Sequence, residues 1–387
     1  MCIRDSIYGG SYQLLHDWYA KSTKLGVALY WFDGYDQQAF SIALEEVMKN
    51  EDERLKRGQK ILVYLESPCN PHGYVLDVGK ISRVAHQEGC RVIVDSTVGT
   101  PFLHPLLKTE DRMDRPDFVV HSYTKELTGT GTTTAGAVIG RNEDMFVPKH
   151  SHVEASWPDG RARVVNWDES LFWNVFYIKG GFLDADKAFE VLNGIKTYEM
   201  RMLQKTINTT LMAYVLDSHP DIKVSCPILK GNANHKLLKD NMYLGLPAPL
   251  FTIDMEGRDD RPPINPVVFK RFLDALEPAI GMQVSLGQTN SLALCPAMTT
   301  HSELTDSALR EAGIAPTTMR ISVGLEDPRL FLAHFIGASR LALDSAHPGF
   351  SRLFPSAKEI DNRYASIHSD ISQRHIKASP GIAELMT

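Results

Sequence analysis

The sequence predicts an α/β protein: a large domain built on a mostly parallel sheet, followed by a smaller α+β domain. Three observations carry this. Between about residues 60 and 140, short and nearly all-apolar runs are separated by a helix or long connections, as expected for buried parallel strands. A long helical stretch then ends at Asp217-Ser218-His219-Pro220, a stop signal and a domain boundary. Beyond it the texture changes to Pro-rich short strands and two amphipathic helices. The domains expected are 1–217, 218–345 and a C-terminal extension at 346–387.

The elements follow in order. KILVYLE is a β-rich run that stops at Ser67-Pro68. Residues 77–89 place Val78, Ile81, Val84 and Ala85 at helical spacing, with Gly89 where a C-terminal cap belongs. RVIVD, DFVVHS and AGAVIG read as further strands of the same parallel sheet. Residues 168–178 predict a short aromatic helix. Residues 184–217 predict one long helix, with Ala188, Leu192, Ile195, Met202, Ile207, Leu211 and Tyr214 along one side. PAPLFTIDM, MQVSL and TMRISVG are the later strands, and 266–279 and 329–344 the later helices. The last forty or so residues are polar without clear period, suited to wrapping another surface.

Composition narrows the function classes. The 387 residues are 43% hydrophobic and 23% charged, which supplies a sizeable core and argues against disorder. A formal charge of -6 argues against nucleic-acid binding driven by overall charge. No apolar run approaches the length needed to span a bilayer. Five scattered cysteines (Cys2, Cys69, Cys90, Cys226, Cys295) form no CxxC pair, so neither a disulfide framework nor a thiolate zinc site is expected. With no signal-peptide pattern at the start, a cytoplasmic location is expected.

The stretch 91–140 is richest in chemistry. Asp95 ends one strand; Ser122-Tyr123-Thr124-Lys125 ends another and runs into a Thr/Gly loop. Ligands of open α/β sheets bind at the carboxyl ends of strands, so Asp95 and Lys125 can meet over one ligand. A lysine amine, a carboxylate and nearby hydroxyls suit pyridoxal phosphate: the amine forms a Schiff base, the carboxylate pairs with the protonated pyridine nitrogen, and hydroxyls such as Ser122 and Thr124 hold phosphate. A plain salt bridge beside a plain turn fits the same spacing. A nucleotide P-loop fits poorly, because Lys125 precedes the glycines and no GxGxxG follows a strand.

ESPCNP (66–71), DVGKISRVAHQEGCRVIVDST (77–97), HSYTK (121–125) and MRISVGLED (319–327) resemble the Cys/Met-metabolism family of pyridoxal-phosphate enzymes, in the family's order, from about residue 8 to about 345. The resemblance implies the fold type I architecture of pyridoxal-phosphate transferases. It implies γ-replacement or γ-elimination on a homoserine-derived or sulfur-containing amino acid, in the manner of cystathionine γ-synthase or γ-lyase. Methionine γ-lyase or O-acetylhomoserine sulfhydrylase activity stays open, as does a non-catalytic chain of the same fold. The SLG around Ser285 is closer to the cystathionine branch.

Residue by residue, the resemblance implies that Lys125 is the Schiff-base lysine and Asp95 the pyridinium partner. Ser122 and Thr124 are phosphate-side hydroxyls, Tyr8 stacks on the ring and aids proton transfer, and Asn70 contacts the ring oxygen. Glu66 is left in a supporting position. Arg320 grips the substrate α-carboxylate, for which a guanidinium fork is suited, and the backbone of Ser285 helps hold it. An ion pair of Arg320 with Glu326 or Asp327 is the competing reading. A homo-oligomer is implied, and no metal. His301, the aromatic cluster Trp167, Phe172, Trp173, Phe176 and Tyr177, and the carboxylates of 253–260 receive no catalytic or metal role.

The sequence departs from the family pattern at Glu126, where an aromatic is usual, at Gly129-Thr130 and at Asp95-Ser96-Thr97. These departures bear on substrate more than on cofactor. No counterpart of the family's N-terminal arm, or of its glycine-containing phosphate turn, precedes Tyr8. The expectation is therefore a fragment of a longer reading frame with a weakened phosphate grip.

Overall fold

In the computed structural model the described residues are 1–4, 7–156, 160–257, 262–299, 309 and 313–379. The chain divides into two units: Met1–Asn70 with Tyr74–Lys196, and Pro71–Gly73 with Thr197–Thr387.

The first unit is built on six strands: β1 (Cys2–Arg4), β2 (Tyr30–Phe32), β3 (Leu62–Glu66), β4 (Arg91–Asp95), β5 (Phe118–Ser122) and β6 (Gly136–Gly140). Their order is β2-β1-β3-β4-β5-β6. All neighbours are parallel except the last pair; β6 runs antiparallel to β5. The sequence reading made β6 parallel. The connection at 123–135 contains no crossover helix, so the chain turns straight back.

The strands were also expected to be buried on both faces. One face is: Val63, Leu65, Val92, Val94 and Val119 pack with Phe40, Leu44 and Ile81. The other carries a smaller cluster of Ile3, Ile7 and Leu15, and Ile93 and Val120 on that side stay half-buried. Helix α1 (Gln37–Asn50) is capped by Asp36, whose carboxylate accepts from the Gln38 and Ala39 N–H groups. Helix α2 (Val78–Gln87) is capped by Asp77 and followed by Gly89 at φ 70°, the left-handed stop the sequence predicts.

An antiparallel pair, β7 (His152–Ser156) and β8 (Ala162–Asn166), leads into the aromatic segment, which is a 3-10 turn (Trp167–Glu169) followed by a π-helical stretch (Phe172–Ile178), rather than one α-helix. Its rings pack on one another: Phe172 stacks on Phe176, and Trp173 meets Tyr177 edge-on.

The long predicted helix is two helices in different units, α3 (Ala185–Ile195) and α4 (Tyr198–Asp217). The chain therefore divides at Lys196/Thr197, not at residue 217. The cause is packing. Near the end of α3, Gly194 lies so close to Thr128 that a Cβ would sit 2.6 Å from the Thr128 Cα. Helix α4 instead packs within the second unit. Along α3 the inward residue is Val191, while Phe189 and Leu192 face outward, which reverses the expected role of Leu192.

The second unit holds a five-stranded sheet in the order β11-β12-β13-β10-β9, with strands β9 (Lys223–Ser225), β10 (Leu250–Asp254), β11 (Gly281–Met282), β12 (Leu292–Leu294) and β13 (Met319–Ser322). Only the β11–β12 pair is parallel. Helices α5 (Pro266–Leu276) and α6 (Pro328–Ala342) pack together through Phe272 and Phe335. The tail read as aperiodic forms α7 (Ala357–Ala378), opened by a Ser356/Glu359 capping box. It packs on α4 and α6 through Ile360 and Ile371. Those two isoleucines lie three helical turns apart, too sparse a pattern to read as periodic.

Candidate active site

Three neighbouring strands of the first unit end in polar residues on one edge of the sheet: Glu66 on β3, Asp95 on β4 and Ser122 on β5. Parallel pairing places Glu66 opposite Asp95, and Asp95 opposite Val120. The loop after β4 is tied to that after β5: the Ser96 N–H donates to the Val120 carbonyl at 3.0 Å, and the Ser122 N–H to Thr97 Oγ1 at 2.8 Å. The Thr97 N–H donates to Asp95 Oδ1 at 2.9 Å. Lys125 is half-buried in the turn that leaves β5, its N–H donating to the Ser122 carbonyl at 3.3 Å. Thr124 Oγ1 accepts from the Ala135 N–H and donates to the Ala135 carbonyl, closing the base of the Thr/Gly loop.

Glu66 gathers the rest. Its Oε2 accepts from the Tyr8 N–H at 2.6 Å, and its Oε1 from the Asn70 N–H at 2.9 Å. Tyr8 itself stands at the start of a short helical turn, with an exposed ring. Burial, and next the neighbouring Asp95, push the Glu66 carboxyl up to about 8. Burial raises Asp95 as well. Beneath this edge, burial lowers His104 and His121 to about 4, and their Nδ1 atoms bond the carbonyls of Ser67 and Ser96. They stay neutral at ordinary pH.

A buried carboxyl beside a half-buried one favours an incoming cation. A protonated pyridine nitrogen supplies one, and the Lys125 amine on the same edge can hold an aldehyde. The donor set fits pyridoxal phosphate.

In the second unit, Arg320 lies on the central strand β13 with 4% of its surface exposed. Its Nη2 donates to the Ser285 carbonyl at 2.6 Å and to the Val284 carbonyl at 3.3 Å. Burial lowers the guanidinium to about 10, so it remains a cation near neutrality. The competing ion-pair reading loses its named acids: Asp327 binds Arg329 through both oxygens, and Glu326 Oε1 accepts from the Ser291 N–H. The same loop is held at Gly287, whose N–H donates to Ser322 Oγ, and at Gln288, whose carbonyl accepts from Lys205 Nζ at 2.7 Å.

Thus Tyr8, Asn70, Asp95, Ser122, Thr124 and Lys125 belong to the first unit, and Ser285 and Arg320 to the second. His301, and residues 258–260 of the acidic turn, lie outside the described residues. The sequence reading understated Glu66 and passed over Lys205. Lys205 lies off the apolar stripe read along that helix, so the sequence held no signal for its burial.

A parallel α/β sheet with a lysine and a carboxyl pair on its carboxyl edge is the layout of a cofactor-dependent enzyme acting on carbonyl or amino compounds. Residues 1–335 match the Cys/Met metabolism PLP-dependent enzyme family, and the chain belongs to it. It is 29% identical to an O-acetyl-L-homoserine sulfhydrylase of Leptospira meyeri, over 83% of this chain and 70% of that protein. It is 32% identical to an L-methionine gamma-lyase of Treponema denticola, over 74% of this chain and 62% of that protein. Among solved structures, a putative O-acetylhomoserine (thiol)-lyase from Campylobacter jejuni, with N'-pyridoxyl-lysine-5'-monophosphate, superposes at a TM-score of 0.68 and 26% identity, covering 88% of this chain and 76% of that one.

Proposed function

We propose that this chain catalyses pyridoxal-phosphate-dependent transsulfuration chemistry, γ-replacement or γ-elimination, on a homoserine-derived or sulfur-containing amino acid. The observation that carries the reading is the buried Glu66 carboxyl beside the half-buried Asp95, on the sheet edge that also bears Lys125. When bound, the cofactor supplies an electron sink for charge developing on the substrate carbons.

The residues divide the work. Lys125 would hold the cofactor covalently through Nζ; once the substrate amine has displaced it, the freed Nζ would take a proton from Cα and then one from Cβ. Asp95 keeps a proton on the ring nitrogen. Ser122 would face the phosphate, as would Thr124 once its hydroxyl leaves the Ala135 carbonyl, Tyr8 would cover the ring, and Asn70 would meet its oxygen substituent. Arg320, with the Ser285 backbone, receives the substrate carboxylate; the planar fork fixes the amino acid's orientation.

The chain acts as a homo-oligomer in this reading. Tyr177, Ile178, Phe182, Phe189 and Leu192 expose between 59% and 73% of their surface, an apolar face suited to covering by another copy. All five cysteines are free thiols, which accords with a cytoplasmic, reducing compartment.

Product analysis tests the function. Cystathionine, methionine and O-acylhomoserine are each supplied with and without cysteine or sulfide. A ketoacid and ammonia identify elimination; a new thioether or homocysteine identifies replacement. No turnover of any of them, in a folded chain whose bound cofactor does not change its visible absorbance on adding amino acid, overturns the reading in favour of a non-catalytic chain.

A further inference from the structure

No step of the chemistry assigned above is given to Glu66, yet it joins three of the segments that build the site. Its two oxygens take N–H groups from segments 58 and 4 residues away, those of Tyr8 and Asn70. Its strand register sets it beside Asp95. We propose that Glu66 is a positioning residue of the cofactor site: it clamps the Tyr8 and Asn70 main chains to the end of β3 and holds a second carboxyl group against Asp95.

The inference rests on the cofactor reading, since it concerns how Asp95 meets a ring nitrogen. Two carboxyl groups in one buried place do not both ionise readily. While Glu66 keeps its proton, Asp95 carries the charge and can face a cation. Once Glu66 ionises to solvent, a second negative charge stands there and the ring nitrogen holds its proton more tightly. The other groups that act on Glu66 are few. Arg4, on the adjacent strand β1, favours its charge, but its Nε is spent on the Gly34 carbonyl and its Nη2 faces Asp33 at 3.6 Å. The Tyr64 phenol is held neutral by burial and by both carboxyl groups. His104 and His121 are neutral.

The test compares the full chain with its Glu66→Gln variant, both loaded with pyridoxal phosphate. Glutamine keeps the size but offers one acceptor in place of two, and it does not titrate. Three quantities are read: cofactor Kd, the pH midpoint of the cofactor's visible absorbance, and borohydride trapping mapped by peptide mass. In the loaded wild type an absorbance transition is expected below about 8, because the ring cation favours the ionised form of Glu66. In the variant, Kd rises about 5- to 10-fold, the size of one lost hydrogen bond, and that transition disappears or moves by more than about one pH unit. Label at Lys125 persists. A variant with Kd within about twofold of wild type and the same midpoint overturns the proposal.

Should Glu66→Gln not fold, Glu66→Asp replaces it. It keeps a titrating group but cannot span both N–H groups, so the transition is expected to remain while Kd rises. An Asp variant with wild-type Kd overturns the clamp. Label on another side chain in the wild type overturns the cofactor reading itself, which separates the two failures.

Discussion

Nη2 of Arg320 donates to the carbonyl of Ser285 at 2.6 Å, joining the central strand of the second unit to the loop that runs back to it. The loop oxygen fixes one side of the guanidinium and so aims the rest of the fork. Arg320→Lys keeps the charge but loses planarity and a bidentate grip. KM for the amino-acid substrate is expected to rise about 10- to 100-fold, with a smaller change in kcat. Steady-state kinetics check this. A kcat loss at unchanged KM contradicts it.

Lys205 is fully buried and donates to the Gln288 carbonyl in the same loop, three residues beyond Ser285. Lys205→Met leaves that carbonyl without this donor, a loss of about 1–3 kcal/mol in stability. The loosened loop is expected to raise KM about 10-fold while borohydride labelling at Lys125 is unchanged. Thermal melts and kinetics on one preparation read both effects.

Lys125→Ala is expected to abolish the borohydride label and to lower turnover by about 10³-fold or more. Asp95→Asn keeps the shape but removes the charge, and is expected to cost about 10²- to 10³-fold in turnover with the label retained. Peptide mass mapping and initial rates separate these outcomes. Full activity in either variant contradicts the assignment.

The buried imidazoles make stability fall on the acid side. His104 and His121 are depressed to about 4, below the ordinary 6.5, so the unfolded chain binds their protons first. Stability is expected to drop as pH falls from 6.5 to 4, by on the order of 1–3 kcal/mol per histidine, and then to level off. Glu66 acts in the opposite direction. Its raised value gives stability that is full below about 4.5 and lost as pH rises through about 8. Urea titrations across pH check both, which oppose each other between about 4.5 and 6.5: the loss on acidification shrinks in His104→Gln, and the decline between about 4.5 and 8 is removed in Glu66→Gln.

Much of this was legible along the chain. The runs ending at Glu66, Asp95 and Ser122 are short, apolar and β-branched, and each is a strand whose last residue lies at the sheet edge. The stop signal at Gly89 ends a helix as expected, because capping is local chemistry. The direction of β6, the split at Lys196/Thr197 and the helix Ala357–Ala378 were not legible. Each depends on what a segment packs against, and spacing does not carry that. The stripe residue Leu192 faces outward for the same reason.

The sequence alone determined the chemistry at hand: a lysine, an aspartate and hydroxyls following strands, and an arginine in a strand of the second unit. Those are properties of residue type and local order. Only the tertiary structure decided that Glu66 stands against Asp95 while holding Tyr8 and Asn70, and that a buried lysine on α4 props the loop beside Arg320. Strand register and helix docking bring together residues far apart in the chain, and burial then changes how strongly each holds its proton.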